Sequence, residues 1–158
     1  MTFHIITIFP RIFDSYFNES ILKRAQKNNL IKIKIHNLRD WTCDLHKTVD
    51  DAPFGGGAGM VMKIEPLYKS IKSIKSKVKS RGTKIILLSA KGKIWNQNLA
   101  KSHAKLNNII LIYLQHYKLK EIFTKNILDL IKIPHLLIEE NNFLLSFEVL
   151  NNVCELHR

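Results

Sequence analysis

The residues with the clearest chemical potential lie between Leu38 and Met60, where Asp44, His46, Asp50 and Asp51 precede a cluster of glycines. Four of the six glycines in the chain, Gly55, Gly56, Gly57 and Gly59, fall within five positions there. Carboxylates and an imidazole can move protons or hold a cation, and clustered glycines let a ligand approach the backbone. The spacing narrows these options. No Gly-Lys-Ser/Thr follows the glycines, so the loop is not a P-loop. Pro53 precedes it and Met60 and Val61 stand where a further glycine is needed, so it is not a dinucleotide fingerprint. Asp44 and His46 lack a third ligand at a recognisable spacing, and no metal site is expected. The same carboxylates also suit helix caps and acceptors for loop amides. Cys43 and Cys154 form no Cys-x-x-Cys pair, which points away from a disulfide framework and towards a reducing cytoplasm.

A second feature is electrostatic. The 158-residue chain has 25 Lys and Arg against 13 Asp and Glu, a net charge of +12. Residues 61 to 105 hold twelve of the basic residues and one acid, Glu65. Such a surplus favours an anionic partner such as RNA, DNA or acidic lipid. A generally lysine-rich composition, with 20 Lys in the chain, supplies the same surplus without any binding role. The remaining histidines, including His4, His36 and His103, show no partner pattern and read as structural or surface residues.

These residues need a scaffold. At 158 residues, 46% apolar and 24% charged, the chain suits one compact domain and excludes disordered or collagen-like classes. Phe3 to Phe9 is an apolar, β-branched run stopped by Pro10, the pattern of a strand buried on both faces. Apolar residues at steps of three and four from Ile12 to Ala25 predict one or two helices ending near Asn28. Ile31, Ile33 and Ile35 then alternate with lysines, which predicts a half-exposed edge strand. From Asn37 to Met60 periodicity disappears, as in a long functional loop. Leu67, Ile71, Ile74 and Val78 mark one helical face, with Lys69, Lys72, Lys75, Lys77 and Lys79 off it and Gly82 as a C-terminal stop. Lys84 to Ser89 predicts a buried strand, Asn96 to Lys105 a helix, and Asn108 to Tyr113 another buried strand. Strands alternating with helices predict an α/β fold with a mostly parallel sheet. Beyond residue 120 the pattern weakens, with a helix expected over Phe123 to Ile133 before Pro134. No apolar run reaches the length of a membrane span.

The run RDWTCDLHKTVDDAPFGGGAGM, Arg39 to Met60, resembles the signature of bacterial tRNA (guanine-N1)-methyltransferases, roughly R-D-[FY]-[ST]-x-D-x-H-x-x-V-D-D-x-P-[YF]-G-G-G-x-G-M. The opening IITIFPRIF is similar to the family's I-x-x-[IL]-F-P-x-[MI]-F, and KIILLSAKGKIWNQ resembles its strand followed by L-S-P-x-G-x-x-x-[DN]-Q. The resemblance covers residues 1 to about 112.

It implies a homodimeric α/β methyltransferase domain with a C-terminal trefoil knot, contrary to the usual rule against threaded chains. It implies S-adenosylmethionine as cofactor and methyl transfer to N1 of the guanine following the tRNA anticodon. Cofactor-binding residues would then be Leu88, Ser89 and Ala90, with Gln115 and Tyr117 in a second loop and Glu140, Asn141, Asn142, Phe143, Leu144 and Leu145 in a third. Substrate-binding residues would be Arg39, Asp44, His46, Asp50, Gly55, Gly56, Gly57 and Gly59. The chain departs from the family where Asn141, Phe147 and Glu148 stand in place of glycines, and it has no glycine after Gly92. Such replacements remove close backbone contact with the donor. The expectation is a single methyltransferase-like domain over residues 1 to 158. The same expectation leaves out the family's C-terminal helical tRNA-binding domain with its aspartate base, so that Asp50 or Asp51 would be the candidate base. The alternative is a non-catalytic RNA-binding module or a remnant.

Overall fold

The computed structural model describes residues 1–52, 59–78, 81–114 and 136–139. A five-stranded, wholly parallel sheet runs through them in the order β2-β1-β6-β5-β7. Its strands are β1 (Thr2–Thr7), β2 (Lys32–Asn37), β5 (Thr83–Lys93), β6 (Asn108–Tyr113) and β7 (Leu136–Glu139). A separate antiparallel pair joins β3 (Asp50–Asp51) to β4 (Val61–Met62).

The interior strands are apolar on both sides because each side meets a different layer. Phe3 and Ile5 of β1 and Ile109 and Leu111 of β6 pack in one cluster with Leu22 and Ala25 of α2 (Ser20–Lys27) and Ala100 of α4 (Gln97–His103). Ile6, Ile110 and Ile112 face the opposite layer, with Leu67, Ile71 and Ile74 of α3 (Ile64–Lys77). Fully burying each of the leucine, isoleucine and phenylalanine side chains among these contributes about 1.5–3 kcal/mol. The four-residue α1 (Asp14–Phe17) follows a 3-10 turn over Pro10–Phe13 and stacks Phe17 on Phe13, ring centroids 5.2 Å apart.

β2 is the edge strand expected from its alternation: Ile31, Ile33 and Ile35 pack towards the α2 layer, while Lys32 and Lys34 are exposed. Several expectations need correction. β1 ends at Thr7, since Pro10 opens a 3-10 turn and leaves Phe9 45% exposed. Gly82 does not stop α3, which ends five residues earlier. At φ +76° it turns the chain into β5, its carbonyl accepting from the backbone N–H groups of Asn107 and Asn108. The segment from Asn37 to Met60 is not featureless, holding a 3-10 turn at Leu38–Trp41 and strand β3. The helix expected over Phe123 to Ile133 and the knot lie outside the described residues.

Candidate functional site

All five parallel strands end on one edge of the sheet, and the candidate residues leave from those ends. β5 lies between β6 and β7, so three adjacent tips lead into the three segments that the family resemblance would give to the cofactor. Leu88, 1% exposed, is the last residue before the β5–β7 register breaks. Leu88 and Lys93 both face Glu139, so residues 89–92, including Ser89 and Ala90, bulge out of the ladder. Such a bulge frees backbone N–H and C=O groups for a ligand at a strand tip. β6 ends at Tyr113, two residues before Gln115, and β7 ends at Glu139, one before Glu140. Gln115, Tyr117 and Glu140 to Leu145 themselves lie outside the described residues.

The signature segment starts at the tip of β2 on the same edge. Asn37 caps the 3-10 turn, its Oδ1 accepting from the Arg39 N–H at 3.1 Å. The Arg39 guanidinium then donates to the Lys47 carbonyl at 2.9 Å, closing a small loop over residues 39–47. Within it the Asp44 carboxylate accepts from the Thr48 N–H at 2.9 Å and the Thr48 hydroxyl at 2.5 Å, while Lys47 adopts φ +51°. The Thr48 hydrogen bonds hold the Asp44 carboxyl below its ordinary value. His46 is exposed on this loop.

Val49, fully buried, anchors the next turn among Ile8, Leu38, Met62 and Leu114, and its carbonyl accepts from the Lys63 N–H at 2.8 Å. Asp50 and Asp51 follow, paired with Met62 and Val61 across the short ladder. Asp51 accepts from the Ala52 N–H at 2.8 Å and faces Lys63 at 4.0 Å, an exposed pair of little energetic weight. A cavity of about 410 Å³ opens beside this hairpin, lined by Asp51, Ala52, Met62 and Lys63. Gly59 sits at φ +102°, a conformation side chains disfavour; Gly55, Gly56 and Gly57 lie outside the described residues. The structure thus gathers Arg39, Asp44, His46, Asp50 and Gly59 into one braced segment.

Two side-chain groups escaped the sequence reading. Lys69 on α3 reaches Cys43 Sγ at 3.0 Å and Glu65 at 2.6 Å, tying the signature loop to the helix. These two contacts, Cys43 first, raise the lysine's pKa. The Glu65–Lys69 spacing of four was the available signal. His4 and His36, read as unrelated, stack at 5.2 Å with Nδ1 of His4 3.0 Å from Nε2 of His36. Burial, then His36 and Lys34, push His4 down to about 4. Among the described residues no cluster of three or more potential ligands could hold a metal.

A parallel sheet flanked by helices, with a bulged strand at its C-terminal edge, defines an open α/β protein, a class that binds ligands at its strand tips. Comparison with known proteins makes the assignment specific: the chain belongs to the tRNA (Guanine-1)-methyltransferase TrmD family, whose profile matches residues 1–132. It is 50% identical over 108 residues to a tRNA (guanine-N(1)-)-methyltransferase of Dictyoglomus turgidum, covering 68% of this chain and 42% of the relative. The Clostridioides difficile protein of the same description is 46% identical over 131 residues, 83% of this chain and 55% of that one. The chain therefore spans about half the length of the curated relatives it matches. The crystal structure of tRNA (m1G37) methyltransferase from Aquifex aeolicus superposes with a TM-score of 0.73 at 22% identity, covering 98% of this chain and 69% of that one. That likeness bears on the fold, which it shares.

Proposed function

We propose that this chain transfers a methyl group from S-adenosylmethionine to N1 of the guanine following the tRNA anticodon, as a cytoplasmic homodimer. The observation that carries the reading is the position of the Arg39–Met60 signature, which leaves the same sheet edge as the bulged tip of β5. Leu88, Ser89 and Ala90, with Gln115, Tyr117 and the Glu140–Leu145 segment, are assigned to the cofactor. The freed backbone groups of the bulge suit a ligand rich in hydrogen-bonding edges. When bound, S-adenosylmethionine supplies an electrophilic methyl carbon on a positively charged sulfur.

The chain's own task is to present guanine N1 in line with that carbon and to accept its proton. Arg39, Asp44 and His46 shape the loop that receives the base, and the glycines allow close approach. Asp50 and Asp51, at the foot of the loop, are assigned as proton acceptors.

The replacement of family glycines by Asn141, Phe147 and Glu148, together with the +12 charge, favours a second reading, an RNA-binding module without catalysis. Titration calorimetry separates the two. Methyl transfer requires saturable heat with S-adenosylmethionine as well as tRNA; heat with tRNA and none with the donor establishes the second reading.

A further inference from the structure

The sheet face beneath α3 carries a basic surface that the proposed chemistry does not use. Lys32, Lys34 and His36 of β2 pair in register with Thr2, His4 and Ile6 of β1, and Ile6 belongs to the α3 layer. The intervening Ile31, Ile33 and Ile35 turn the other way, into the α2 layer. The lysines of this edge strand therefore stand on the α3 side. Leu38, directly after β2, packs in one cluster with Leu67, Ile71 and Ile74 of α3, which sets the helix beside this strand. Lys32, Lys34, Lys72 and Lys77 are all exposed, and the two ion pairs found among the described residues engage Lys63 and Lys69 instead. Among the described residues, Asp40 opposes these cations at His36. Lysines commonly protect a sheet edge from pairing with another chain. That accounts for Lys32 and Lys34, but not for Lys72 and Lys77, which lie on the helix.

We propose that the face formed by β2 and α3, through Lys32, Lys34, Lys72 and Lys77, is a docking surface for the phosphodiester backbone of tRNA, separate from the glycine-rich loop. The inference rests on the tRNA reading above and deepens it. Flexible ammonium groups offer point charges to phosphates and read no base edges. The surface therefore contributes affinity and orientation while the strand-tip loop meets the guanine. Each phosphate it engages makes binding more sensitive to salt.

The test compares two variants that remove equal charge from opposite layers of the sheet. One is K32Q/K34Q/K72Q/K77Q. The other, K23Q/K27Q/K101Q/K105Q, alters exposed lysines on α2, on α4 and just beyond α4. Binding of unmodified tRNA transcript is followed by fluorescence anisotropy between about 0.05 and 0.2 M salt. The first variant is expected to lose about tenfold or more in affinity at the upper concentration and to lower the log–log salt slope by about 3. The second should change affinity less than threefold. Circular dichroism melting checks that both fold, and the helix-surface pair K72Q/K77Q, expected to show half the change in slope, serves if the quadruple variant does not. Equal losses in both quadruple variants overturn the proposal in favour of diffuse charge, and an unchanged first variant overturns it outright. If that variant keeps its tRNA affinity but loses binding to phosphatidylserine vesicles, the surface is a lipid site and the proposal fails. Absence of tRNA binding by the unaltered protein defeats the underlying tRNA reading, a result distinct from failure of this surface alone.

Discussion

Asp50 stands directly opposite Met62 in the β3–β4 ladder, so the two ends of the glycine-rich segment are fastened together at the foot of the loop. Met62 is 2% exposed and shares a cluster with Ile8 and Leu114, which extend β1 and β6 past their tips. The carboxylate is therefore held on a buried anchor rather than on a free loop. Asp50→Asn and Asp51→Asn keep shape and remove the base. The variant that carries the proton-accepting role should lose about a hundredfold or more in kcat, with donor affinity changed less than twofold by calorimetry. Full kcat in both variants would remove these residues from the reaction.

Gly59 at φ +102° ends the loop just before Met60. Gly59→Ala forces a side chain into a disfavoured conformation at an exposed position. The expected outcome is a rise in KM for tRNA together with a strain cost of about 1–2 kcal/mol in stability. Unaltered tRNA kinetics would show that the loop accepts other conformations.

Gly82 provides a purely structural contrast. A Cβ there would lie 2.9 Å from Asn107 Nδ2, at φ +76°. Gly82→Ala should cost about 1–2 kcal/mol and lower the melting temperature by about 3–6 °C, while donor affinity stays the same. No loss of stability would mean that the turn relaxes at little cost.

The His4–His36 pair makes stability depend on pH. His4 is buried neutral, with its value down to about 4 against about 6.5 in the unfolded chain. Protons therefore bind the unfolded state first, and native stability falls as pH drops from about 6.5 to about 4, by about 2–3 kcal/mol. The Asp44 turn has its own window: its stabilisation is complete above the ordinary carboxylate value and is lost at still lower pH. Urea midpoints measured across pH 4–8 should show the first decline in the parent protein and a much flatter profile in His4→Phe. An equally steep profile in that variant would assign the dependence to other groups.

Much of this architecture was legible because burial leaves a period in the sequence. β1 and β6 carry apolar residues on both faces and read as interior strands; β2 alternates and reads as an edge. The Arg39–Met60 segment stood out as a candidate from its residue types alone. What escaped notice was short or distant. Two-residue strands such as Asp50–Asp51 have no period, and β7 is four residues following Pro134. His4 and His36 lie 32 residues apart and meet only through the parallel register of β1 and β2. Lys69 and Cys43, 26 apart, meet where α3 packs beside the signature loop.

Methyl transfer itself is the central claim, and primer extension across the tRNA measures it directly. With S-adenosylmethionine and the protein together, reverse transcription should stop at the guanine following the anticodon, because N1 methylation blocks its pairing edge. Omitting either component should abolish the stop. If the folded protein binds both tRNA and donor, yet no guanine-specific stop forms under any condition, the account of this chain as a tRNA methyltransferase is contradicted.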